Sequence, residues 1–106
     1  MISDKEKNAI KEVKQYLSEN FDLLDLRVFG SKVKETDTAE SDTDIMAVLD
    51  NYDPSIEARI DSQVFKINLK HDCLISILLY SREEIERGPL GESPLYKKVI
   101  KEGIPV

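Results

Sequence analysis

Apolar and polar positions change period several times along the chain. Over residues 3–19, Ala9, Ile10, Val13, Tyr16 and Leu17 recur at helical spacing. Ser3 and Glu6 ahead of them have the spacing of a capping box, and Asn20 is a stop signal. Residues 24–29 then alternate Leu24, Leu26 and Val28 with Asp25 and Arg27, which predicts a strand ending at Gly30. Residues 31–41 are polar and read as a loop, with room for a helical turn over Ser31–Lys34. A second apolar run, 43–49, predicts another strand, and DNYDP after it is turn chemistry.

The second half repeats the alternation. Asp53 caps and Pro54 starts a helix whose stripe is Ile56, Ile60, Val64 and Ile67, with Phe65 and Leu69 nearby. Residues 73–80, CLISILLY, are apolar nearly throughout, as a central strand would be. Ser81 with Glu84 repeats the capping-box spacing and opens a short helix that Gly88 and Pro89 stop. Ser93 and Pro94 open a last helix, with Gly103 as its end signal. The order is α-β-β-α-β-α-α, an α/β or α+β domain with a mixed sheet flanked by helices. With 106 residues and no linker or repeat, residues 1–106 read as a single domain.

Charge narrows the partners. The chain carries 21 acidic and 15 basic residues, a formal net charge of −6. Broad nucleic-acid binding normally needs a basic face, so it is not expected. A small anion carried with a divalent cation remains compatible, because the cation brings the positive charge. A single cysteine, Cys73, allows no internal disulfide. The charged start and the lack of a long apolar run argue against a signal peptide or a membrane span. A soluble cytoplasmic protein is the simplest reading.

The chemistry concentrates where the first two strands meet. Side chains two apart on a strand share a face, so Asp42 and Asp44 point the same way, about 6–7 Å apart along the backbone. Magnesium prefers hard oxygen ligands, often one or two carboxylates plus substrate phosphates. Gly30 lets a phosphate approach without a Cβ in the way, and Ser31 adds a hydroxyl and a backbone N–H. Lys32 and Lys34 add positive charge. A two-metal site would need a third carboxylate. The candidate is Asp72, which stands before the third apolar run as Asp42 and Asp44 stand at the second. Gly-Ser alone is a common turn, and Asp-x-Asp alone is a common solvated loop; together, in this strand context, they point to a site. Asp37, Glu40 and Asp50 read as loop or turn carboxylates. His71 reads as a surface residue and Cys73 as core.

Gly30 and Ser31, ten intervening residues, then Asp42-Thr43-Asp44 resemble the Gly-Ser-x10-Asp-x-Asp signature of the nucleotidyltransferase superfamily related to DNA polymerase beta. The short length resembles its minimal branch, and 75–104, ISILLYSREEIERGPLGESPLYKKVIKEGI, is similar to the ending of small members. The resemblance implies that Asp42, Asp44 and Asp72 are catalytic and bind Mg²⁺. It implies that Gly30, Ser31 and Lys32 hold the phosphates of a nucleoside triphosphate, ATP being the expected donor. The reaction implied is transfer of a nucleoside monophosphate to an acceptor hydroxyl with release of pyrophosphate. Small members often pair with a helical HEPN partner in toxin–antitoxin systems, so the acceptor is expected on such a protein. The chain departs from the family pattern at Lys32 and at Lys34-Glu35, where an arginine and an Arg-Gly pair are usual. Lysine keeps the charge without the bidentate geometry. A second reading follows from those departures: a catalytically inactive interaction module that neutralises a partner by binding.

Overall fold

A computed structural model describes residues 2–30, 33 and 42–106. Helix α1, Asp4–Asn20, starts at the Ser3 cap, where Glu6 and Ser3 complete the reciprocal capping box. Its stripe of Ala9, Ile10, Val13 and Leu17 is buried. Strands β1, Leu23–Phe29, and β2, Thr43–Leu49, follow. Helix α2, Pro54–His71, has Pro54 in its first turn and the Asp53 side chain accepting from the N–H groups of Ser55 and Ile56. Strand β3, Ile75–Ser81, leads into the short helix α3, Arg82–Glu86, under a second capping box made by Ser81 and Glu84. A 3-10 turn, Pro89–Glu92, and helix α4, Pro94–Glu102, complete the helices described. The expected order holds, and the structure adds a two-residue strand β4, Ile104–Pro105.

The sheet order is β3-β2-β1-β4. β1 pairs antiparallel with β2 and with β4, while β2 pairs parallel with β3, so the sheet is mixed. α2 supplies the crossover that a parallel pair requires. One consequence fixes the site. β2 and β3 begin at the same end of the sheet, and antiparallel β1 finishes there.

The two faces of β2 divide the core. Ile45, Ala47 and Leu49 pack with α1 and α2 through Val13, Leu17, Ile60, Val64 and Ile67. Met46 and Val48 face the other way, onto Val99 of α4, with Phe29, Leu78, Tyr80, Ile85 and Tyr96 around them. Each fully buried Val, Leu or Ile contributes about 1.5–3 kcal/mol by leaving water. β2, covered on both faces, is the central apolar strand.

Two sequence expectations are corrected here. β3 lies at a sheet edge, not at the centre, and most of its side chains are only half-buried. It also starts at Ile75, because α2 runs on to His71 and caps with Asp72 in the left-handed region, φ 52°. The Asn68 side chain holds the intervening turn by accepting from the Ile75 N–H at 2.9 Å and donating to the Ile75 carbonyl at 3.1 Å. Cys73 therefore sits in a turn rather than on a strand. Burial pushes its thiol up, which agrees with an unreactive side chain.

Candidate active site

Register brings the functional residues together. Phe29 pairs with Asp44 across β1 and β2, and Asp44 pairs with Ser76 across β2 and β3. Partners at one register position share a face, so Phe29, Asp44 and Ser76 form a row across the sheet. Asp42 immediately precedes β2, and Gly30 immediately follows β1.

Gly30 has φ +81°, in the region that disfavours every residue with a Cβ. A Cβ there would stand 2.8 Å from Oδ2 of Asp44. Two requirements thus select glycine: the positive φ and the close approach to Asp44. The Val33 N–H donates to the Gly30 carbonyl at 3.1 Å, and Val33 is helical. The expected phosphate-loop residues Ser31, Lys32 and Lys34, the departure at Glu35 and the loop carboxylates Asp37 and Glu40 lie outside the described residues.

Asp42 is exposed and Asp44 half-buried. Burial pushes the Asp44 carboxyl up, and the Asp42 charge adds to the effect. Among the described residues neither carboxylate has an ion-pair partner. The Ser76 hydroxyl donates to Oδ2 of Asp42 at 3.3 Å. Two acceptor-only groups converging without a cationic side chain from the described residues suit a hard divalent cation such as Mg²⁺.

Asp72 does not join them. Its side chain is fully exposed and stands 3.6 Å from Nζ of Lys5 at the α2 cap. Among the described residues no group of three or more His, Cys, Asp or Glu side chains is placed to hold a metal. The described residues fit a cation on a carboxylate pair, not on a triad. His71 is half-buried and lies against Glu12 of α1 at 3.0 Å, so it joins α2 to α1.

A positioning contact appears that sequence reading assigned only to capping. Glu6 is buried, accepts from the Ser3 hydroxyl at 2.7 Å with one oxygen, and accepts from the Thr43 hydroxyl with the other. Thr43 stands between the two aspartates and faces the opposite side of the sheet. Its backbone N–H donates to the Leu74 carbonyl at 2.7 Å. The start of β2 is thereby anchored to α1 behind and to the chain before β3 beside it. Only tertiary contact reveals this role, since Ser-x-x-Glu is already explained by the cap.

Fold and site together define a small α+β domain with a carboxylate pair at one end of a mixed sheet. The chain belongs to the Polymerase beta, Nucleotidyltransferase family, whose model matches residues 11–88. A solved structure described as a candidate minimal nucleotidyltransferase has a similar fold, with a TM-score of 0.68 and 18% identity over 100% of this chain and 97% of that one. Comparison with curated protein sequences gives no significant match. Among the described residues no helix is long and apolar enough to cross a membrane.

Proposed function

We propose that the chain transfers a nucleoside monophosphate, AMP from ATP, to an acceptor hydroxyl, with Mg²⁺ held by Asp42 and Asp44. The observation that carries this is the junction of the two strands. Gly30, with its positive φ, lies against Asp44, and Asp42 shares that sheet end. Bound Mg²⁺ would neutralise phosphate charge and bridge nucleotide to protein. Asp44 supplies a half-buried, fixed oxygen ligand and Asp42 an exposed one. Gly30 sets no Cβ against the Asp44 carboxylate, which therefore keeps its place at the strand junction. Ser31 and Lys32 are the further phosphate contacts in this reading.

In the reaction the acceptor oxygen bonds to the α-phosphorus while the bond from that phosphorus to the bridging oxygen breaks. Pyrophosphate departs with the electron pair, and the hydroxyl proton passes to water. Catalysis then rests on positioning and charge neutralisation, which a small site can supply.

The acceptor in this reading is a tyrosine hydroxyl on a helical HEPN-type partner. Support comes from the surface of α2, where Phe65 and Leu69, one turn apart, are left exposed for contact. The test is mass spectrometry of the chain and its partner after incubation with ATP and Mg²⁺. A gain of one AMP on the partner, absent with Asp42→Asn/Asp44→Asn, is expected; no mass gain on either protein contradicts transfer.

The second reading, a contact-only module, is favoured by one observation: among the described residues no third carboxylate joins Asp42 and Asp44. The same double variant separates the two. Neutralisation of the partner that survives it belongs to contact alone.

A further inference from the structure

Ser76 reaches the candidate site with no local sequence signal. It lies in a strand whose other members are apolar up to Ser81, and its hydroxyl donates to Oδ2 of Asp42 at 3.3 Å. The parallel register sets it beside Asp44 on the same face. A carboxylate at this position would make three on one face. Asp72 cannot take that place, being exposed at the α2 cap before β3 begins.

We infer that Ser76 sets the cation capacity of the site that the described residues form: it orients Asp42 toward the side of Asp44 and, being neutral, limits that site to one divalent cation. This rests on the reading of Asp42 and Asp44 as cation ligands. Two carboxylates carry a formal charge of −2, which balances one divalent ion. Two such ions about 4 Å apart need more negative charge than the pair provides. Ligand charge count is also what tunes affinity at oxygen-ligand cation sites. The hydroxyl keeps Asp42 directed without adding charge. Ser76 is exposed at the start of an edge strand, so a substitution there is accommodated without repacking the core.

The test is a Mn²⁺ titration of the full chain, with free ion followed by electron paramagnetic resonance. It compares wild type with Ser76→Asp, Ser76→Ala, Ser76→Thr and Asp44→Asn, each checked for folding by circular dichroism. Wild type is expected to bind one ion, lost in Asp44→Asn. Ser76→Asp is expected to bind a second ion, or to bind the first about tenfold more tightly, the affinity shift that an added ligand charge brings. Ser76→Ala should weaken binding about threefold by releasing Asp42, and Ser76→Thr should restore it, a hydrogen-bond effect of ordinary size. Two ions in wild type, or a Ser76→Asp protein identical to wild type in number and affinity, overturns the inference and leaves the proposed function standing. No ion in wild type but one in Ser76→Asp sinks the metal-dependent function while upholding the role of Ser76. No ion in either removes both.

Discussion

Gly30 and Asp44 constrain each other at the scale of single residues. Gly30→Ala places a methyl 2.8 Å from the Asp44 carboxylate and forces a Cβ into the left-handed region. The backbone term alone costs roughly 1–2 kcal/mol, and the displaced carboxylate weakens any cation bound there. The variant should melt several degrees lower and lose most of its Mn²⁺ affinity, both readable on one sample. Unchanged binding would disconnect Gly30 from the site. Asp44→Asn should behave differently. Burial, and then Asp42, hold the Asp44 carboxyl above its ordinary value, so its ionised form is disfavoured in the folded chain. A raised carboxyl contributes stability below its unfolded value and loses it as pH rises through the folded one. At neutral pH without metal, Asp44→Asn should therefore melt at the same temperature as wild type or higher, yet bind no cation. A variant clearly less stable than wild type at pH 7 would show that Asp44 is structural. The trade of stability for function is what a binding carboxylate pair implies.

Among elements, the contacts between α1, α2 and the start of β2 decide how firmly the site is held. Glu6 serves both the α1 cap and Thr43, so Glu6→Ala strips two acceptor roles at once. Leaving the buried Thr43 hydroxyl unsatisfied costs about 1–3 kcal/mol, and cation affinity should fall although residue 6 does not touch the cation. Denaturant unfolding measures the first effect; a full wild-type midpoint would contradict the anchoring role. A pH effect separates from this one at Glu12. The hydrogen bond from Lys70, then the one from His71, hold its carboxyl below the ordinary value and pin α1 to α2. A lowered carboxyl contributes stability above its unfolded value and loses it as pH falls through the folded one. About a third of the side chain is exposed, which limits the size. Glu12→Gln should lower the melting temperature by under about 5 °C at neutral pH and by less in acid. A deficit that grew as pH fell would reverse the sign.

Elements also show what was legible in the sequence. α1 and α2 could be read because one face of each is apolar at helical period and their caps are local; β2 could be read as an unbroken apolar run between turn residues. Gly30, Asp42 and Asp44 were legible because the signature lies in one short stretch. The sequence pattern misplaces Asp72 because the apolar run begins at Cys73, while α2 holds its helix to His71 and Asn68 closes a turn before Ile75. Ser76 was invisible because a serine in a strand is unremarkable until parallel pairing sets it beside Asp44. β3 looked central because half-buried apolar residues on an edge strand read like fully buried ones. β4 pairs only Ile104 and Pro105 with β1, too few residues for a period.

For the whole molecule, topology does the assembling. One antiparallel and one parallel neighbour of β2 bring the end of β1 and the start of β3 to the two aspartates. The net charge of −6 is unsuited to holding a bare triphosphate, so the cation is expected to be obligatory for nucleotide binding. Any ligand that binds only the folded chain raises its stability, by about 2.7 kcal/mol at a hundred times its dissociation constant. ATP with Mg²⁺ should therefore raise the melting temperature of wild type and leave Asp42→Asn/Asp44→Asn unmoved. The most direct measurement is calorimetric titration of the chain with ATP, with Mg²⁺ present and then with it removed by chelation. Saturable binding with one nucleotide per chain that vanishes on chelation, and is absent from the Asp42→Asn/Asp44→Asn protein, is the predicted result. Binding that survives chelation or the double substitution, or no binding with Mg²⁺ in excess, contradicts a metal–nucleotide site at Asp42 and Asp44.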